Sequence, residues 1–151
     1  MNNKNNSGQS LLEVLTALGV AAVIIVALTT LAVTSLRNAQ HARSQTTATK
    51  LASEGIEQVR TVRDRQGWTA FYLYVFGKCY TVDTTNWILQ NAEDPPCDGM
   101  EVSGYSGYVR KIFLENESTG GEGRKITVTV TWTDSFGENT SQATTILTKW
   151  Q

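Results

Sequence analysis

The sequence has few of the residues that usually carry chemistry, with two cysteines, two prolines and one histidine among 151 residues. Its 13 basic and 14 acidic side chains nearly cancel, which excludes the usual basic nucleic-acid binder, because few phosphates would be neutralised. The balance of 40% apolar and 18% charged residues also excludes a disordered tail protein. A G-x-S-x-G elbow, a Gly-rich phosphate loop after a strand and an H-E-x-x-H pair are all missing, so we expect no enzyme.

Aromatic residues, prolines and charges are scarce in the first part of the chain. No aromatic residue precedes Trp68, no proline precedes Pro95, and 19 of the 26 residues from Leu11 to Leu36 are Ala, Val, Ile or Leu. The 23 residues Val14–Leu36, called the apolar span below, carry no charge, and as a helix they rise about 34 Å. That length crosses a hydrocarbon core of about 30 Å and exceeds a cleavable secretory signal. We therefore predict a membrane helix.

The residues around the start of this span form a motif. Ser7-Gly8-Gln9-Ser10-Leu11-Leu12-Glu13-Val14 resembles the prepilin cleavage and methylation motif of type IV pilins and pseudopilins, although that family usually has Phe where this chain has Gln9. The shared elements are a polar leader ending in Gly, a Ser or Thr second in the mature chain, two aliphatic residues and a Glu fifth. The resemblance implies cleavage between Gly8 and Gln9, methylation of Gln9 and a role for Glu13 in filament assembly.

The same resemblance implies partners and a location. The partners are other pilin or pseudopilin subunits bound through the N-terminal helix, a prepilin peptidase, the assembly platform of the cytoplasmic membrane and membrane lipid. No specific nucleic acid, cofactor or metal is implied. The chain would cross the cytoplasmic (inner) membrane once, with an extracytoplasmic C-terminal domain, and reach the cell surface in a filament. A minor type IV pilin is favoured. The alternative is a pseudopilin of a type II secretion or DNA-uptake (competence) system, and a more distant one is a non-polymerising, membrane-anchored binding module.

Basic residues around the span favour the orientation opposite to the one that the resemblance implies. Only Lys4 precedes it, whereas Arg37, Arg43 and Lys50 follow it closely. Counting Lys and Arg alone would place the C-terminal domain in the cytoplasm. The two cysteines and the resemblance favour an extracytoplasmic domain.

Glu13 has two interpretations. As a helix-start residue it forms a capping box with Ser10 as the N-cap. In a filament it faces the cationic N-terminal amine of a neighbouring subunit, and this pair sets the axial step between helices. The two interpretations are compatible.

Helical periodicity continues beyond the span. Apolar residues at three- and four-residue spacing predict one helix from about Leu11 to Arg65, ended by Gly67. These apolar residues are Ala48, Ala52, Ile56, Val59 and Val62. The predicted organisation is a prepilin leader over 1–8, a transmembrane and polymerisation helix over 9–36, its amphipathic continuation over 37–66 and an antiparallel β domain over 67–151.

From Trp68 onwards the pattern changes to period two. The segment 124–133 is the clearest strand, with apolar residues on one face and threonines on the other. The segments 108–115 and 140–150 are its predicted neighbours, and a shorter strand over 78–82 pairs at an edge. Such strands form an antiparallel meander whose apolar face lies on the helix, an α+β fold that pilins and pseudopilins share. The aromatic segment 68–76 covers the junction of helix and sheet, with a subunit interface as the alternative and a ligand platform as a remote third.

Cys79 and Cys97 enclose 17 residues, and a disulfide over this loop would contribute roughly 3 kcal/mol in an oxidising compartment. With His41 as the single histidine, neither a four-ligand zinc site nor a Cys–His catalytic pair is expected. An acidic cluster nearby has oxygen ligands of the kind that calcium prefers, but no EF-hand spacing, so a solvated loop is the expected state. The cluster comprises Glu93, Asp94, Asp98 and Glu101.

Overall fold

The computed structural model describes residues 7–92, 97, 99–116 and 123–149, and for 7–10 the backbone alone. Its elements are α1 (Ser7–Gln66), α2 (Trp68–Tyr72), β1 (Cys79–Asp83), β2 (Ile88–Asn91), β3 (Met100–Val102), β4 (Tyr105–Asn116), β5 (Gly123–Asp134) and β6 (Gly137–Thr148). The chain divides into two compact units, an N-terminal unit over Met1–Gln40 and a sheet unit over His41–Gln151. The predicted α+β class, with a long helix packed on an antiparallel sheet, is confirmed.

Helix α1 ends where the sequence predicts. Gly67 has a φ of 78°, a left-handed conformation that glycine adopts readily, and its N–H donates to the Arg63 carbonyl at 2.9 Å. The helix begins at Ser7, four residues before the predicted Leu11. Ser10 therefore lies inside the helix, and its interpretation as an N-cap is wrong.

The sheet is built around one long meander. The strand order is β2-β1-β4-β5-β6, with β3 pairing β4, and every pairing is antiparallel. The three long strands match the predicted ones with boundaries shifted by a few residues. As predicted, β1 pairs at the edge of this meander, with β4, and β2 then adds to its outer side. Strands β2 and β3 were not predicted.

The core of the sheet unit lies between α1 and one face of the sheet. Alternate residues of β5, from Ile126 to Trp132, are buried, as the period-two pattern predicts. Leu51 is buried against them together with the predicted stripe of α1, which comprises Ala48, Ala52, Ile56, Val59 and Val62. Gly55 brings the two layers close, because a Cβ atom there would lie 2.7 Å from Cγ1 of Val128. Helix and sheet therefore form one hydrophobic core.

The aromatic segment begins as a short helix, so the expected period-two pattern from Trp68 is wrong over α2. Phe71 is fully buried, and Trp68 and Tyr74 pack against the core. In contrast, Leu73 and Phe76 are 80% and 56% exposed. The segment thus covers the core with one side and presents apolar side chains with the other.

Candidate functional site

The residues that the prepilin motif singles out lie in the first turns of α1. Gly8 and Gln9 belong to the helical backbone, and Glu13 has an exposed side chain. No described side chain forms an ion pair with Glu13, while its backbone carbonyl accepts a hydrogen bond from the Thr16 hydroxyl at 2.9 Å. The Glu13 carboxylate is thus available to a group outside the described chain.

The apolar span follows Glu13 without interruption. Its large apolar side chains, together with Leu11 and Leu12, are all between 51% and 69% exposed. An 18-residue window of this helix has a mean hydropathy of 2.6 and no buried residue. By length and composition the helix is able to cross a membrane, in agreement with the prediction.

The few polar side chains of the span bond within the helix. The hydroxyl of Thr29 donates to the carbonyl of Ile25 at 2.9 Å, and that of Thr30 donates to the carbonyl of Val26 at 2.8 Å. The Thr34 hydroxyl donates to the Thr30 carbonyl at 3.0 Å in the same way. Because these hydroxyls donate inside the helix, they do not require water as a hydrogen-bond acceptor.

The structure contains a disulfide between Cys79 and Cys97, whose Cα atoms lie 5.9 Å apart. It fastens Cys97 to the first residue of β1, next to the central strand β4. Of the acidic cluster, Glu93, Asp94 and Asp98 lie outside the described residues. The Glu101 carboxylate accepts the Gly107 N–H at 2.7 Å. Within the described residues, no group of three or more His, Cys, Asp or Glu side chains is placed to hold a metal ion.

Arg124 holds the aromatic segment against the sheet. The residue is 4% exposed, and its guanidinium donates through Nη2 to the Tyr72 carbonyl at 2.6 Å and through Nη1 to Oδ1 of Asn116. It also lies 4.1 Å from the ring centre of Tyr72 and 5.6 Å from that of Phe76. No carboxylate of the described residues pairs with it, so carbonyl dipoles and aromatic faces stabilise this buried charge.

Arg110 is a second inward-facing arginine, at the contact of β4 with α1. It donates to the Leu51 carbonyl at 3.2 Å and to Oε1 of Gln58 at 2.8 Å. Burial lowers the pKa of this guanidinium, and the carboxylate of Glu54, 3.9 Å away, opposes the shift. The hydrogen bonds from Arg110 therefore attach α1 to strand β4.

The sequence analysis identified neither arginine, although the sequence pattern indicates that both lie on the buried face of the sheet. Arg124 stands two residues before Ile126, and Arg110 stands two residues before Ile112, so period two places them on the buried face. The contact of His41 with Asp134 was missed as well, and 93 positions separate the two residues. No local pattern reports a pair so distant in sequence.

The long apolar N-terminal helix, the antiparallel sheet under its second half and the disulfide are together compatible with a pilin-like fold. Comparison with family models, curated proteins and solved structures finds no match to this chain.

Proposed function

We propose that this chain is a pilin-like structural subunit, cleaved after Gly8 and methylated at Gln9 by a prepilin peptidase. It assembles through α1 into a type IV pilus or a related filament, as a minor pilin. The observation that carries the proposal is the arrangement in α1. The carboxylate of Glu13, which forms no ion pair with the described residues, directly precedes an exposed, uncharged span that is long enough to cross a membrane.

The energetics of a carboxylate at this place support an assembly role. A charged side chain costs about 2.5 to 3.5 kcal/mol at the centre of a membrane helix and less near its end. The cost is offset when the cationic N-terminal amine of a neighbouring subunit lies against Glu13. Such a contact joins two different surfaces of the subunit, so it can be repeated from one subunit to the next along a helical filament. The apolar side chains of the span supply the remaining contact area.

The compartment of the sheet unit is part of the same proposal. A disulfide persists where the environment is oxidising, which supports an extracytoplasmic sheet unit. The basic residues that follow the span support the reverse orientation. Cleavage at Gly8 removes Lys4, so the mature chain carries no Lys or Arg before the span. We base the proposed extracytoplasmic orientation on the disulfide.

Replacing Glu13 by Ala tests the assembly role. We expect Glu13→Ala to reach the membrane fraction at the wild-type level but to be lost from sheared filaments, because the partner of the N-terminal amine is gone. The matched control is Glu57→Ala on the same helix, which removes an exposed pair with Arg60 worth about 0.5 kcal/mol. We expect this control to assemble normally. Incorporation of Glu13→Ala at the level of the control would refute the assembly role.

A further inference from the structure

The two edges of the sheet differ in length. On one side the outer strands are β2 and β3, which have four and three residues. On the other side the outer strand is β6, whose twelve residues pair with β5 in one unbroken register. Among the described strands, none pairs with the outer side of β6. The sheet therefore ends in one long edge without a bulge.

The short edge at β2 is bonded to other parts of the chain. The backbone N–H of Leu89 donates to the Tyr74 hydroxyl at 3.2 Å, and the carbonyl of Trp87, just before β2, accepts the side-chain amide of Gln66 at 2.9 Å. The Tyr74 hydroxyl in turn donates to Oε1 of Gln66 at 3.1 Å. These two side chains occupy backbone groups that a further strand would need.

Hydrogen bonds elsewhere in the sheet show which backbone groups of β6 face outwards. The carbonyl of Leu114 accepts the N–H of Gly77, and its N–H donates to the carbonyl of Lys78, so even-numbered residues of β4 face β1. Backbone direction alternates along each strand, and the registers of β4 with β5 and of β5 with β6 carry this alternation across the sheet. Odd-numbered residues of β6 therefore bond to β5, and even-numbered residues direct N–H and C=O outwards. The outward residues are Glu138, Thr140, Gln142, Thr144, Ile146 and Thr148.

Strand β6 lacks the features that usually protect an edge strand. It contains no proline, lysine or arginine, its register has no bulge, and Glu138 is its one charged residue. Native proteins use such features to block a long edge, because free backbone donors and acceptors are a template for another strand. Its outward threonines and Ile146 favour β structure as well.

A groove lies between this edge and α1. It has a volume of about 600 Å³ and is lined by Glu57, Arg60, Thr61 and Asp64 of α1 and by Ile146 and Leu147 of β6. A strand added to β6 would place every second side chain on the α1 side of the sheet. The groove provides room for polar side chains there.

We propose that the outer edge of β6 is a docking edge for an extended segment of another protein, which adds to the sheet as a further strand. The outward backbone groups supply the hydrogen bonds, and the side chains of the segment alternate between the groove and the face away from α1. The chemistry recognised is a segment of about five or more residues without proline at its bonded positions. It is uncharged where it faces Thr140, Gln142 and Thr144.

A second copy of this chain does not fit the docking edge in the proposed filament. The edge of the copy at β2 is occupied by Tyr74 and Gln66, so its long β6 would have to pair. Two copies joined through β6 are related by half a turn, so their α1 helices run in opposite directions or lie on opposite faces of the joined sheet. Neither arrangement fits a filament in which all α1 helices pack together in one direction. This step rests on the proposed function.

Binding of a defined peptide to the full chain in detergent micelles tests the docking edge. The probe has the sequence of residues 125–133 of β5, because β6 already pairs with this sequence on its other side. We expect the peptide to slow hydrogen exchange of the outward amides of Thr140, Gln142 and Thr144. The same peptide with N-methyl groups on its backbone nitrogens keeps its side chains but loses its N–H donors, and should not protect them.

Thr144→Pro is the test variant in the chain. It removes one outward N–H, and proline is tolerated in an edge strand where the N–H faces solvent. We expect the affinity for the peptide, measured by fluorescence anisotropy, to fall about tenfold or more. The matched control Thr144→Ala keeps the N–H and should bind within about twofold of the wild type. Should Thr144→Pro fail to fold, the N-methylated peptide decides the question, because it leaves the chain unchanged.

Three results would overturn the proposal. The first is no amide protection at about 1 mM peptide, and the second is equal binding of the N-methylated peptide or equal binding by a folded Thr144→Pro variant. The third is a dimer of the chain alone, measured by sedimentation equilibrium and lost in Thr144→Pro, which would identify a second copy as the occupant. A chain that is not cleaved at Gly8 would contradict the proposed function but would still bind the peptide, so the two failures are distinguishable.

Discussion

Single residues with unusual surroundings hold the sheet unit together, and Arg124 is the most unusual. Its buried guanidinium bonds to the Tyr72 carbonyl and the Asn116 side chain, and its Nε has no hydrogen-bond partner within the described chain. Burying a charge is costly unless hydrogen bonds and nearby dipoles compensate. The gain here is a fixed position for the aromatic segment, whose exposed residues include Leu73 and Phe76.

Replacing Arg124 by Met tests this role. We expect Arg124→Met to lower the free energy of unfolding by about 2 to 3 kcal/mol, because buried acceptors lose a charged donor. Lys125→Met is the control, since it removes an exposed pair with Glu115 and should cost at most about 1 kcal/mol. Urea unfolding of the full chain measures both. A loss for Arg124→Met no larger than for Lys125→Met would show that the guanidinium does not hold the segment.

At the scale of elements, the close approach of α1 to β5 depends on Gly55. Alanine favours a helix over glycine by about 1 kcal/mol, but a Cβ atom at Gly55 would lie 2.7 Å from Cγ1 of Val128. We expect Gly55→Ala to destabilise the fold by about 1 to 2 kcal/mol and Val128→Ala to relieve part of that loss in the double variant. Gly19→Ala is the control, because nothing lies within 4 Å of its added Cβ, and it should not destabilise.

Thermal unfolding of the wild type and of the four variants gives these differences. A stabilised Gly55→Ala variant would mean that the helix moves away from the sheet at little cost, and strict additivity with Val128→Ala would exclude the contact as the cause.

The elements differ in how far the sequence predicts them. Helix α1 and strand β5 have long apolar periodicities, so one face is marked over many residues, and β4 and β6 were predicted as the neighbours of β5. Strands β2 and β3 have four and three residues, too few for an alternation to appear. Helix α2 is a run of apolar and aromatic residues, which fits a strand and a helix equally well. Its helical form comes from burying Phe71 beside α1, a tertiary effect.

The candidate site shows the same division. The residues of the prepilin motif lie close together in the sequence, so the motif can be recognised directly. They are the leader, Gly8, Gln9 and Glu13. The contact of His41 with Asp134 joins residues 93 positions apart, and the Arg124 contacts join β5 to a segment 50 residues earlier. Only folding brings these groups together, and the sequence signals no more than which face they occupy.

At the scale of the whole molecule, the chain combines two kinds of surface. The N-terminal unit exposes the apolar span, whereas the sheet unit buries its own core and contains a disulfide. By length and composition, the helix that carries the span is able to cross a membrane.

The intact mass of the chain purified from membranes of cells that contain a prepilin peptidase tests the central claim most directly. We predict the loss of Met1–Gly8 and the gain of one methyl group on the new N-terminus at Gln9. Gly8→Val, which places a branched side chain at the cleavage position, is the control and should keep the full length. An uncleaved and unmethylated wild-type chain would contradict the proposal that this protein is a processed, polymerising pilin-like subunit.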